Sequence, residues 1–405
     1  MDIIKFVTQI AGGGFHYGRT IVLFGDSITQ ACGVHPTNRG YFDWLNFKLK
    51  QAFDVTYNAG VAGNSSAQML ARIQADVIAK RPNWCLVMGG SNDIAADVAA
   101  ATTVANLQII YNTLHGAKIN VIASTLSPST SFNSEARGTA WTTINQAIRD
   151  FATANPWLIL ADAGPEYLDT TQPTLAVPLA NYTADGVHPT GLGAASLGLK
   201  MYTDINANSL IQKLAPYTGL VTANIDAGRI YYANANQLMT GDATDHITAP
   251  AEGVHASNWF ISAGGVWSKV ARADGLPGVW QQCVIGAEAD AALIGLPDRT
   301  ANWVVGESWY AQCEFESDDD WVSPVCAFLY LSALDGANTV LAQTQSLGYS
   351  IVGGSGSAIL NPRFGTFRTA NMVIPANTTK LRPYFTVQAT SGTFRISRLE
   401  FLKAG

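Results

Sequence analysis

The chain has 405 residues, of which 48% are hydrophobic and only 13% charged, and its formal net charge at pH 7 is −6. That composition excludes a disordered chain, and the acidic balance argues against a dedicated nucleic-acid binder. At roughly 150 residues per domain, the length predicts two or three domains. In chain order, residues 1–17 read as a lead-in. Gly12-Gly13-Gly14 reads as a flexible lead-in rather than a phosphate loop, because no strand is expected before it and no Lys-Ser/Thr follows. The opening Met1-Asp2-Ile3-Ile4-Lys5-Phe6 has no basic segment followed by a long apolar core, so no secretory signal is expected. No apolar run approaches the roughly 18 residues of a membrane span.

Apolar runs then recur at 21–24, 55–57, 85–88, 119–123 and 158–160. Their spacing, roughly 30 residues, is that of one βαβ unit. Between them helical periodicity runs through Trp44, Leu45, Lys48, Leu49 and Phe53, then through Met69, Leu70, Ile73, Val77 and Ile78. It returns through Val104, Leu107, Ile110, Tyr111 and Leu114, and through Ile144, Ala147, Ile148 and Phe151. A further helix is expected over about 192–214. Alternating strands and helices predict a flavodoxin-like three-layer α/β/α domain over 18–215, with a parallel sheet of about five strands. The segment 216–256 suits a linker with short strands. Beyond it, period-two alternation at 266–270, 309–315, 325–331, 380–387 and 393–401 predicts an all-β sandwich over 257–405.

The chemistry concentrates at strand ends. Gly25-Asp26-Ser27 breaks the first run, at the carboxyl end of a strand, where open α/β sheets bind ligands. A serine there either caps the next helix or serves as a nucleophile. Downstream, Asp185 and His188 stand three residues apart in Asp185-Gly186-Val187-His188-Pro189. A carboxylate so placed can accept a hydrogen bond from the imidazole Nδ1–H, fix its tautomer and leave Nε2 free to take a serine proton. The same spacing also suits an Asx turn beside a surface histidine. Two further segments offer hydrogen-bond donors for an oxyanion: Gly60-Val61-Ala62-Gly63-Asn64-Ser65 after the second run, and Gly90-Ser91-Asn92-Asp93 after the third.

Together these four segments resemble the blocks of the SGNH hydrolases, the GDSL-type esterase superfamily, in the order of that family. The resemblance covers roughly residues 18–210. It implies Ser27 as nucleophile, His188 as base and Asp185 as its orienting carboxylate. The oxyanion donors it implies are the Ser27 N–H, Gly63 and the Asn92 amide, with Gly60 the alternative to Gly63 and with Asp26 and Asp93 in support. The β region looks similar to jelly-roll carbohydrate-binding modules, opening near Asn236-Gln237-Leu238-Met239.

Six tryptophans fall in that β region: Trp259, Trp267, Trp280, Trp303, Trp309 and Trp321. They form either a platform for sugar rings or part of the core. Glu316-Ser317-Asp318-Asp319-Asp320 offers oxygen ligands for calcium but reads better as a solvated loop. His16, His35, His115, His246 and His255 sit in no metal-ligand pattern, so no metal and no cofactor is expected. The five cysteines, Cys32, Cys85, Cys283, Cys313 and Cys326, leave at least one thiol free, with a Cys313–Cys326 or a Cys283–Cys313 bridge open.

The expectation is a serine esterase acting on short acyl groups, O-acetyl on carbohydrate foremost, with a glycan-binding β domain and an extracellular or virion-associated setting. The alternatives are a lipid-directed esterase or thioesterase of lysophospholipase type, and a virion tail or adhesion protein with a glycan-binding role.

Overall fold

A computed structural model describes residues 18–33 and 40–212. In the second half it describes 231–232, 247–248, 252–253, 260–262, 264–273, 278–286, 292–295, 298–300, 303–318, 326–346, 349–350, 364–388 and 391–403. These fall into two compact units, one within 18–212 and one beyond residue 230.

The first unit is a parallel five-stranded sheet. Its strands β1 (Thr20–Gly25), β2 (Asp54–Gly60), β3 (Trp84–Met88), β4 (Asn120–Ser124) and β5 (Leu158–Ala161) lie in the order β2-β1-β3-β4-β5. That is the flavodoxin-like order, whose direction of winding reverses between β1 and β3. Each apolar run recognised in the sequence is a strand; β1, β3 and β4 carry such runs because a parallel strand covered on both faces is buried, whereas β2, at the sheet edge, leaves Val55 and Tyr57 41% and 40% exposed. In β1, Ile21 and Leu23 pack on one face and Val22 and Phe24 on the other, all at most 1% exposed. One face is covered by helices α3 (Ser66–Asp76), α5 (Ala100–Gly116) and α6 (Glu135–Ala154) through Met69, Leu107, Ile110 and Ile144. The other is covered by α2 (Tyr41–Lys48) and α7 (Gly191–Ile205) through Phe42, Leu45, Leu197 and Met201.

The helix expected to run to Phe53 ends at Lys48 instead. Lys50 and Gln51 take positive φ, and Phe53 is buried from a loop. The Asn46 side chain holds it there, accepting from the Phe53 N–H and donating to its carbonyl, both at 3.0 Å. An apolar residue in helical phase was recruited to the same core by a side-chain latch.

In the second unit the described strands form an eight-stranded and a seven-stranded sheet, mostly antiparallel. Five of them, Val266–Ala271, Ser308–Ser317, Cys326–Leu334, Lys380–Gln388 and Gly392–Lys403, coincide with the alternating segments. The two sheets face each other through aromatic side chains. Phe385 of one sheet lies 5.9 Å from Phe315 and 5.4 Å from Phe367 of the other, ring centre to ring centre, as in a β-sandwich. Strand Val279–Ile285 was not anticipated. Its Gln281 is fully buried, satisfied by donating to Ser268 O at 2.9 Å, and a polar residue on the core face hides the alternation.

Three expectations for this half need correction or qualification. Trp267, Trp280 and Trp309 are buried, so none of the three offers an open ring for a sugar, and Trp303 is half-buried with its indole N–H donated to Arg299 O. Trp259, Trp321 and the 236–239 segment lie outside the described residues. Cys283 and Cys313 are free buried thiols, so neither proposed bridge forms. Glu316 belongs to a strand and, with Asp318, is engaged by Arg395 at 3.2 and 2.6 Å. Among the described residues no cluster of His, Cys, Asp and Glu is arranged to hold a metal ion. Nor is any helix there long and apolar enough to cross a membrane.

Candidate active site

The register of the sheet brings three strand ends abreast. Gly25 at the end of β1 pairs with Gly60 of β2 on one side and Met88 of β3 on the other. The segments carrying Ser27, Gly63 and Asn92 therefore leave the same edge, next to the reversal point where doubly wound sheets bind ligands.

Gly25 has to be glycine, since a Cβ there would lie 2.2 Å from both Met88 O and Thr29 Oγ1. The chain turns at Asp26 into the short helix α1 (Ser27–Gln30). The residue that caps this helix is Asp26, whose Oδ1 accepts from Ile28 N–H at 3.0 Å. Ser27 is the first helical residue, so its hydroxyl is not consumed by capping, and the capping and nucleophile readings fall on neighbouring residues. Asp26 is 2% exposed, and burial pushes its carboxyl up to about 6. The cap bond and His188 act in the opposite direction.

His188 reaches Ser27 from a loop before α7. Its Nε2 lies 2.8 Å from Ser27 Oγ, and its Nδ1 lies 2.7 Å from Asp185 Oδ2. The other carboxylate oxygen, Oδ1, accepts from the N–H groups of Val187 and His188 at 3.0 and 2.8 Å. The Asx turn and the Asp–His pair expected as alternatives thus coexist, one on each oxygen. Partial burial raises the Asp185 carboxyl, but the His188 N–H, its imidazole and the Val187 N–H outweigh it and hold the group down to about 2. Gly186 makes the turn possible with φ of 86°. A Cβ there would strike Thr130, whose N–H anchors the loop through Gly186 O at 2.8 Å.

The donor candidates separate. The Gly60 N–H is already donated to Asn58 Oδ1 at 2.9 Å. Gly63 is exposed, occupies the third position of a turn closed by Asn64 N–H to Val61 O, and has φ of 75°. Among the described residues no group accepts its N–H, nor that of Ser27. The Asn92 amide donates one N–H to Asn64 O at 3.0 Å, which ties its segment to the glycine turn. Asp93, 1% exposed, accepts from Ser66 N–H at 2.7 Å and Ser66 Oγ–H at 2.6 Å and so fixes the start of α3.

Two residues were not singled out in the sequence. Asn58 donates to Thr29 O and Cys32 O at 3.0 and 2.8 Å, holding the end of α1 against β2. Arg72 on α3 reaches back to the strand ends. The available signal was a lone arginine at the edge of an apolar helical face, four residues before Asp76.

A serine, a histidine and an aspartate joined in sequence at the carboxyl edge of a flavodoxin-like sheet are the geometry of a serine hydrolase centre. Residues 23–195 match the model of the GDSL-like Lipase/Acylhydrolase family. An acetylxylan esterase of Geobacillus stearothermophilus is 33% identical over 89 residues, which are 19% of this chain and 41% of that protein. The chain thus spans less than half the length of that relative. Among solved structures, an acetyl xylan esterase named AlAXEase is 24% identical, covering 46% of this chain and 99% of that one, with a TM-score of 0.38. A lipase/acylhydrolase from Enterococcus faecalis is likewise 24% identical, over 46% of this chain and 95% of that one, with a TM-score of 0.36.

Proposed function

We propose that the chain is a carboxylic ester hydrolase acting on short acyl esters, with O-acetyl groups on carbohydrate as the substrate class. The observation that carries this is the continuous hydrogen-bonded series from Asp185 through His188 to Ser27. In this reading His188 Nε2 takes the hydroxyl proton as Ser27 Oγ attacks the ester carbonyl carbon. Asp185 holds the tautomer and balances the imidazolium that forms. The negative charge on the carbonyl oxygen is received by the Ser27 and Gly63 N–H groups and by the Asn92 N–H not used on Asn64. The imidazolium then protonates the departing alcohol, and water repeats the sequence on the acyl-enzyme, releasing the acid and restoring Ser27.

The acetyl-carbohydrate preference is supported by the 33% identity to an acetylxylan esterase. The catalytic unit is assigned to 18–215. Retention of the carbohydrate is assigned to 257–405, supported by the likeness of its strand pattern to carbohydrate-binding modules. The test is acetate release from a panel of acetylated polysaccharides, with p-nitrophenyl esters of rising chain length alongside. Acetate release that Ser27→Ala abolishes while the fold is kept is the expected result. Unchanged turnover by Ser27→Ala overturns the mechanism, and faster reaction of long acyl chains overturns the substrate class. The Ser27→Ala chain also tests the β domain, since failure to co-sediment with any insoluble polysaccharide removes its binding role.

A further inference from the structure

Arg72 lies on α3, away from the Ser27–His188 pair in sequence, yet its guanidinium spans the segments from which the site is built. Nη2 donates to Gly25 O at 2.8 Å, at the end of β1 just before Asp26 and Ser27. Nη1 donates to Ala59 O at 2.7 Å, near the end of β2, and to Asp76 Oδ2 at 2.9 Å. Nε donates to Asn64 Oδ1 at 2.7 Å, in the turn that holds Gly63. The guanidinium lies over the Phe24 ring, 4.7 Å from its centre, so its position is set from below as well. Asn64 is the shared node, since its backbone oxygen accepts from Asn92.

We infer that Arg72 is a positioning residue for the ester hydrolysis proposed above, setting the distance between the nucleophile on β1 and the oxyanion donors on the glycine turn and Asn92. The inference rests on that reading. A planar guanidinium donates in several fixed directions at once, whereas a lysine ammonium is a point charge that cannot span the same acceptors. Displacements of about 1 Å between reacting groups are enough to cost about a hundredfold in rate. The loss belongs to kcat, because oxyanion donors act on charge that develops only after binding.

The experiment measures kcat and KM for p-nitrophenyl acetate with the full chain carrying Arg72→Lys, with Asn64→Ala as the milder second variant and Ser27→Ala as control, each checked by a thermal melt. Expected is a fall in kcat of tenfold or more for Arg72→Lys and threefold or more for Asn64→Ala, with KM within threefold of wild type. A folded Arg72→Lys chain with kcat within twofold of wild type overturns the role. Should Arg72→Lys fail to fold, an unchanged kcat for Asn64→Ala overturns it equally. Turnover in the wild type that Ser27→Ala does not abolish is a different result, and it overturns the hydrolase reading together with the inference.

Discussion

Asp26 offers a test of the site's electrostatics that does not depend on the substrate. Replacing it by Asn keeps the shape and leaves an Oδ1 to accept from Ile28 N–H, but removes the charge from a position 2% exposed. An ordinary aspartate ionises near 3.8, and in the folded chain burial lifts this group to about 6. Between those values the unfolded chain has lost its proton and the folded chain still holds it. The folded state then binds more protons, and stability falls as pH rises through the window and levels off above it. A rise from 3.8 to about 6 corresponds to roughly 3 kcal/mol in full, most of it incurred between pH 4 and pH 7. Urea unfolding of both chains at pH steps from 4 to 8 isolates this group, since every other titrating side chain is common to them. Asp26→Asn should gain on wild type by about 2 kcal/mol across that range, with no further gain above pH 7. Stability curves that stay parallel from pH 4 to 8 would refute the argument that the buried cap is charged at neutral pH against its surroundings.

Asp185→Asn keeps the oxygen that accepts from Val187 and His188, so the turn and the melting temperature should persist. An amide facing Nδ1 favours the wrong imidazole tautomer, and kcat for p-nitrophenyl acetate should fall by roughly 10³- to 10⁴-fold. A loss under tenfold would show that Asp185 serves the turn alone. Asn92→Ala should lower kcat by roughly 10²- to 10³-fold with KM little changed, and a rise in KM at constant kcat would place Asn92 in ground-state binding instead. Gly60→Ala puts a Cβ 2.2 Å from Gln30 N, whereas Gly63→Ala meets no atom within 4 Å and suffers only its φ of 75°. Urea melts should show a cost of about 1–2 kcal/mol for Gly63→Ala and a clearly larger one for Gly60→Ala. The reverse order would contradict the packing described at the end of β2.

The inner strands of the first unit were readable because burial on both faces leaves a nearly continuous apolar signature, and the edge strand β2 was readable from its short run Val55-Thr56-Tyr57 despite its exposure. Its helices were readable for the same reason on one face. The signal failed where burial and local geometry parted company: at Phe53, held in the core from a loop by Asn46, and at Gln281, a polar residue on a core face. The tryptophans of the second half show the limit of composition. Trp267, Trp280 and Trp309 are consistent in sequence with a sugar platform or with a core, and only the assembled sheets bury them, Trp267 against Phe394 and Trp280 under the Arg272 guanidinium 4.3 Å from its ring.

The sequence by itself determined which residue types stand at the ends of the strands, because a serine after its glycine, a histidine with its nearby carboxylate and small turn residues are each local in the chain. It could not decide whether the Ser27 hydroxyl would be consumed in capping the next helix, since that depended on whether Asp26 would take the cap. Nor could it bring His188 to within 2.8 Å of Ser27 across 161 residues, which required the sheet order that sets β1 at the reversal point and the loop before α7 above it. The difference between the two glycines was likewise tertiary, because the Gly60 N–H is donated to Asn58 and that of Gly63 finds no acceptor among the described residues. Arg72 is the plainest case. Its acceptors lie on two strand ends and a turn, so its place in the site exists only once β1, β2 and α3 have come together.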